Sequence, residues 1–138
     1  MSEKIVKRSG SRNRTAGHNF ERKAVLAFKT IGFEHISSSR LESRSRDNAG
    51  IDLCNKDEDK NGRFPYNVQC KSVANKVDYH RLLSELARTQ KDGKEINVVF
   101  HQLTKKAKTK FMTQGEYAIL SMNDFLEMVA LINQYKGG

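Results

Sequence analysis

The 138-residue chain has no apolar run near the ~20 residues that a bilayer-spanning helix needs. Its basic N-terminus lacks the apolar stretch of a secretory signal, although a Ser/Arg-rich start is also a feature of organelle transit peptides. Cysteine is scarce. Cys54 and Cys70 are the only two and form no CxxC pair, so they read as buried, reduced thiols of a cytoplasmic protein. The four histidines are scattered without zinc-ligand spacing. Four tyrosines and seven phenylalanines show none of the interleaving with cations expected of a single-strand stacking platform. Acidic residues are few beside basic ones: 16 Asp+Glu against 25 Lys+Arg, a formal charge of +9. That excess draws polyanions through counterion release and a long-range field, without separating DNA from RNA, ribosome or anionic lipid.

Length and a 37% hydrophobic content suit one compact domain, expected over residues 17–138. Ahead of it, residues 1–16 read as a flexible basic arm. Lys4, Lys7, Arg8, Arg12 and Arg14 alternate there with small polar residues that fill no core. Such an arm is either a solvated tail or a segment lying along phosphates. From about Asn19 to Thr30 the apolar residues Phe20, Ala24, Ala27, Phe28 and Ile31 fall on one helical stripe, with Glu21 at its edge and Gly32 to end it.

Extended segments follow at 35–40, 49–55 and 64–72, the last two joined by a polar stretch with an Asn61-Gly62 hairpin signal. Within the third, Tyr66, Val68 and Cys70 point one way and Asn67, Gln69 and Lys71 the other. A second helix runs from its N-cap Asp78 to about Gln90, with Tyr79, Leu82, Leu83 and Leu86 as its stripe, and Asp92-Gly93 breaks it. Strands at 96–101 and 116–120 flank a basic loop, 104–110. A last helix, capped by Ser121 or Asn123, turns Phe125, Met128, Val129 and Ile132 to the core. The order α-β-β-β-α-β-β-α predicts a single α/β domain, a mixed β-sheet flanked by helices.

Glu21, Asp52, Gln69 and Lys71 form the chemically suggestive set. A hairpin between neighbouring strands brings Asp52 to Gln69 and Lys71, which share a face about 7 Å apart. A helix packed on that sheet adds Glu21. Carboxylates, an amide oxygen and an ammonium in one cleft suit phosphodiester hydrolysis with Mg²⁺, or Mn²⁺ in its place. A hard cation takes oxygen ligands and activates water, and a lysine orients or deprotonates that water. Taken singly, each of the four has an ordinary structural explanation; their order on these elements gives them joint meaning. Lys105, Lys106, Lys108 and Lys110 suit phosphate contact, and His18 stands close enough to Glu21 to touch substrate.

At Gly17-His-Asn-Phe-Glu21, Gly50-Ile-Asp52-Leu and Val68-Gln-Cys-Lys71 the chain resembles the PD-(D/E)xK nuclease superfamily, and most closely the archaeal and phage-type Holliday-junction resolvases. The resemblance runs from about residue 17 to 133. It implies a homodimeric, metal-dependent endodeoxyribonuclease that nicks two strands of a four-way junction, in a prokaryotic, archaeal or phage-infected cell. Glu21 would assist metal or water positioning and Asp52 would be the central metal ligand. Gln69 would take the second acidic position, and Lys71 that of the catalytic lysine. The run Ser37-Ser38-Ser39-Arg40 falls where such resolvases carry a mobile serine-bearing loop, pointing to Ser39 or Arg40 at the phosphate. The chain departs from the pattern twice: Ile51 replaces the proline before the aspartate, and Gln69 replaces an acid. The second departure leaves open an inactive, nuclease-fold nucleic-acid-binding protein. The charge alone also permits an RNA-binding protein.

Overall fold

A computed structural model describes residues 2–89 and 95–137, with side chains from Arg14 onward. Helix α1 (Ser2–Thr30) leads into strand β1 (Ile36–Ser38), and two short helices, α2 (Ser39–Glu42) and α3 (Arg44–Asn48), precede β2 (Leu53–Asn55). Helical turn α4 (Glu58–Asn61) then leads to β3 (Tyr66–Val73), α5 (Tyr79–Ala87), β4 (Ile96–Ala107), β5 (Lys110–Ile119) and α6 (Met122–Tyr135). With the three short helical turns set aside, this is the expected α-β-β-β-α-β-β-α order.

Strands β3 and β4 are parallel, β4 and β5 antiparallel, and β1 and β2 form a separate antiparallel pair. The two sheets meet where the Asp52 amide donates to the Val68 carbonyl at 2.8 Å. Strand alternation sorts the core onto two faces. On one, Phe20 and Ala24 of α1 pack on Val68, Cys70 and Val98, beside Phe28, Phe33, Phe64, Tyr66 and Phe100 with ring centroids 5.0–6.3 Å apart. On the other, Leu82 and Leu86 of α5 pack on Ile51 and Val99. Burying a large apolar side chain contributes about 1.5–3 kcal/mol. The two clusters thus fix α1 and α5 on opposite sides of β3 and β4. A polar string crosses the sheet on the α1 face: Ser72 Oγ donates to Gln102 (2.7 Å), Gln102 to Glu116 (3.1 Å), and Lys23 of α1 pairs with Glu116 at 2.7 Å.

Several expectations need correction. The segment 2–16 has helical backbone, so α1 starts well before Asn19. No proline interrupts it, and a glycine such as Gly17 weakens a helix by only about 1 kcal/mol. The Asn61-Gly62 signal does not join two paired strands. Asn61 ends α4, Gly62 has φ 83°, and β2 pairs with β1 instead. The basic loop at 104–110 is largely strand: β4 and β5 pair out to Ala107↔Lys110, leaving a turn of Lys108 and Thr109. Of the core face expected on α6, Phe125, Val129 and Ile132 are exposed and Met128 is half-buried. Likewise Ala27 and Ile31 of the α1 stripe lie open to solvent. Gln90, Asp92 and Gly93 fall outside the described residues.

Candidate nuclease site

Asp52 stands where the chain parts from the edge of β3. Its amide still bonds to Val68, but the next rung is made by its side chain: the Cys70 amide donates to Oδ2 at 2.7 Å. A carboxylate has replaced the main-chain carbonyl that a continuing strand would offer. Ile51, in place of the resemblance's proline, is buried against Leu82, Leu86 and Val99 and anchors this approach. The Asp52 carbonyl accepts from the Ser39 amide at 2.8 Å, so the first residue of α2 braces it from the other side.

The Asp52 carboxyl is pushed up to about 7 from an ordinary 3.8. Burial is the main cause, partly opposed by the Cys70 hydrogen bond; the nearby Glu21 carboxylate raises it further and the Lys71 ammonium pulls it down. These interactions put Glu21, Asp52 and Lys71 in one electrostatic neighbourhood. Gln69 packs against Gly50, two residues before Asp52: a Cβ on Gly50 would lie 3.1 Å from its Nε2. Gly50 has φ +82°, so it both makes the left-handed turn into Ile51 and leaves room for the amide. The Gln69 Oε1 is buried and has no hydrogen-bond partner among the described residues.

Glu21 is held in turn by Ser38 Oγ (3.3 Å) and Arg40 Nε (3.2 Å), both on Oε2. Arg40, expected at a phosphate, is therefore an ion-pair partner of Glu21. Ser39 is fully buried, with its hydroxyl beside the Cys54 thiol. It lines the inside of the fold, and Ser38 is the hydroxyl that reaches the cluster. Cys54 and Cys70 are free, buried thiols, each with its pKa pushed up chiefly by burial. Arg46 clamps Glu58 through Nε (2.7 Å) and a second nitrogen (2.8 Å), tying α3 to α4 on either side of β2.

Among the other candidates, His18 is half-buried three residues before Glu21 on α1, and Arg14 is exposed. Arg12 lies outside the residues with described side chains. Lys105, Lys106, Lys108 and Lys110 are exposed on the β4–β5 hairpin, and none is among the charges that shift Asp52. Sequence reasoning missed Ser38, the Cys70 amide and the role of Gly50. Of these, only Gly50, directly ahead of Ile51-Asp52, left a readable signal.

Whether a divalent cation suits this place can be judged from the donors. Among the described residues no three His, Cys, Asp or Glu side chains cluster for a metal. The oxygens here are two carboxylates and one amide, a set for a hard, water-retaining ion and not for zinc. The unpartnered Gln69 oxygen and a carboxyl held near pH 7 both lack the positive charge that such an ion provides, so the residues fit. No described helix is long and apolar enough to cross a membrane.

No curated protein and no solved structure matches the chain. A family model does: the Mrr_cat model, described as restriction endonuclease, matches residues 12–129, which run from within α1 into α6 and include Glu21, Asp52, Gln69 and Lys71. The chain belongs to this family of restriction endonuclease domains, within the PD-(D/E)xK nuclease superfamily.

Proposed function

We propose that the protein is a Mg²⁺-dependent endonuclease of branched DNA, with the four-way junction as its best-fitting substrate and a homodimer as its working form. One observation carries the catalytic part: a buried carboxyl, bonded to the Cys70 amide and raised to about 7, with a second carboxylate and a lysine acting on it. Asp52 and Gln69 are the residues to hold the cation, with Glu21 turned to it through Ser38 and Arg40. When bound, the ion supplies Lewis-acid charge to the scissile phosphate and makes water a better nucleophile. Lys71 orients the attacking water and stabilises the charge that grows on the phosphate. The Cys70 amide keeps Asp52 from turning away during this step.

Support for a dimer comes from α6, where Phe125, Leu126, Val129 and Ile132 are 42–53% exposed beside an apolar cleft of about 230 Å³ lined by Phe28, Ile31, Leu120 and Met128. A second copy placed there would bring two sites to a fixed separation, which is what paired nicking of a junction requires.

The test is cleavage of a labelled four-way junction and a matched linear duplex with Mg²⁺ or Mn²⁺. The expected result is paired nicking of the junction, falling at least 100-fold in Lys71→Ala while junction binding stays within about threefold. Gln69→Glu should cut at lower Mg²⁺, because it adds a charged ligand. Tight junction binding without cutting by either metal overturns the enzymatic reading. It would leave the inactive binding module, which the neutral Gln69 favours.

A further inference from the structure

We infer that the β4–β5 hairpin is a wedge for the point at which DNA arms diverge, its exposed Phe111 and Met112, just behind the turn, meeting exposed base faces and its lysines the flanking phosphates. The inference rests on the reading of the protein as a DNA nuclease and extends it to how substrate is selected. Strands β3 and β4 run parallel with Lys71 opposite His101, and β4 continues beyond that rung through Ala107. The hairpin therefore projects from the end of the sheet that carries Lys71. Its first lysine lies about 13 Å past that rung, four residues at roughly 3.3 Å each. A duplex with its scissile phosphate at Asp52 and Lys71 can reach it without bending.

From Leu103 to Gly115 there is no acidic residue, and four lysines fall within six positions. Among the described residues no ion pair engages any of them. The register gives each face of the ribbon the same equipment: Lys106 is opposite Phe111 on one side, Lys105 opposite Met112 on the other. Phe111 and Met112 are 54% and 60% exposed. A solubilising hairpin has no need of exposed apolar side chains, and a plain phosphate clamp has no need of them on both faces. A cation and an apolar group on each side suit a place with DNA on both sides, where terminal base pairs are open for an apolar wedge to cover. The turn keeps a cation at its apex, since Lys108 takes the left-handed conformation (φ 55°) that glycine or asparagine occupies more easily.

The test uses metal-free buffer, so that binding is read apart from cutting. The probes are a four-way DNA junction with 2-aminopurine next to the branch, the same junction in RNA, and a linear DNA duplex. Wild-type protein should raise the 2-aminopurine emission and prefer the DNA junction. In the double variant Phe111→Ser/Met112→Ser the rise should vanish and junction affinity should fall about tenfold, with duplex affinity within twofold and an unchanged melting curve. Replacing the four lysines with glutamine should weaken both DNAs and flatten the log–log salt dependence by roughly 3–4, at about 0.9 for each phosphate no longer neutralised. A double variant that keeps the emission rise and the junction preference overturns the inference. So does one that loses duplex and junction alike, one that turns a dimer into a monomer, or a wild type that prefers the RNA junction. Cleavage by the wild type in Mg²⁺ is scored separately. Cutting with an indifferent hairpin removes the wedge and keeps the nuclease; hairpin-dependent discrimination without cutting does the reverse.

Discussion

Asp52 shows how a single carboxyl ties the chemistry of this protein to its stability. Unfolded, it ionises near 3.8; folded, it holds its proton to about 7. Between those values the folded chain carries a proton that the unfolded chain has released. The metal-free fold therefore loses stability as pH rises from about 4 to about 7 and levels off above, by on the order of 4 kcal/mol at most. Asp52→Asn should abolish that slope, leaving a protein at least as stable as the parent at pH 8 in thermal melts and unable to cut DNA. Mg²⁺ competes with the same proton, so it should raise the parent's melting temperature more at pH 8 than at pH 6. Residue type and order single out Asp52 in the sequence together with Glu21, Gln69 and Lys71, and of these Glu21 and Lys71 are charges that act on Asp52 in the structure. The partners were not legible there. Arg40 is held against Glu21 and Ser39 is sealed inside, since which serine of a run faces inward depends on where β1 ends and α2 begins.

Among the elements, those with a complete local signal appear as the sequence predicts. Asp78 caps α5 by accepting from the Arg81 amide, Ser121 caps α6 by accepting from Asp124, and Gly32, with φ +114°, follows α1. Strand β3 puts Tyr66, Val68 and Cys70 on the α1 face as alternation demands. The failures share one cause: a partner distant in the chain decided the outcome. Residues 104–107 lack a strong strand pattern, but the ladder with 110–113 extends them. Asn61-Gly62 has strong hairpin chemistry, yet β2 pairs with β1. The hairpin also gives a prediction of its own. Lys108→Gly relieves a left-handed lysine and should stabilise the protein by up to about 1 kcal/mol in denaturant titrations, while lowering affinity for DNA of any shape. That pattern would mark the turn as a position where stability is given up for charge.

For the molecule as a whole, the amphipathic pattern of α6 predicted a core face, and the structure leaves that face open, because a pattern shows that a face is apolar and not what covers it. Within one copy nothing on α6 is buried. Val129→Asp/Ile132→Asp should shift the protein from two copies to one in sedimentation, without loss of the helical signal. If the dimer supplies the second site, paired nicking should become single nicking while the rate per site holds within a few-fold. A native protein that sediments as a monomer at micromolar concentration would refute the dimer and leave the site untouched.

The string Ser72–Gln102–Glu116–Lys23 has a consequence for how this nuclease tolerates change. It works as a tie-rod: one end is next to the strand residue Lys71 and the other is two residues from Glu21, so α1 is braced against the sheet by side chains outside the proposed site. Drift in the outermost strand, remote from any chemistry, would loosen the alignment before it loosened the fold.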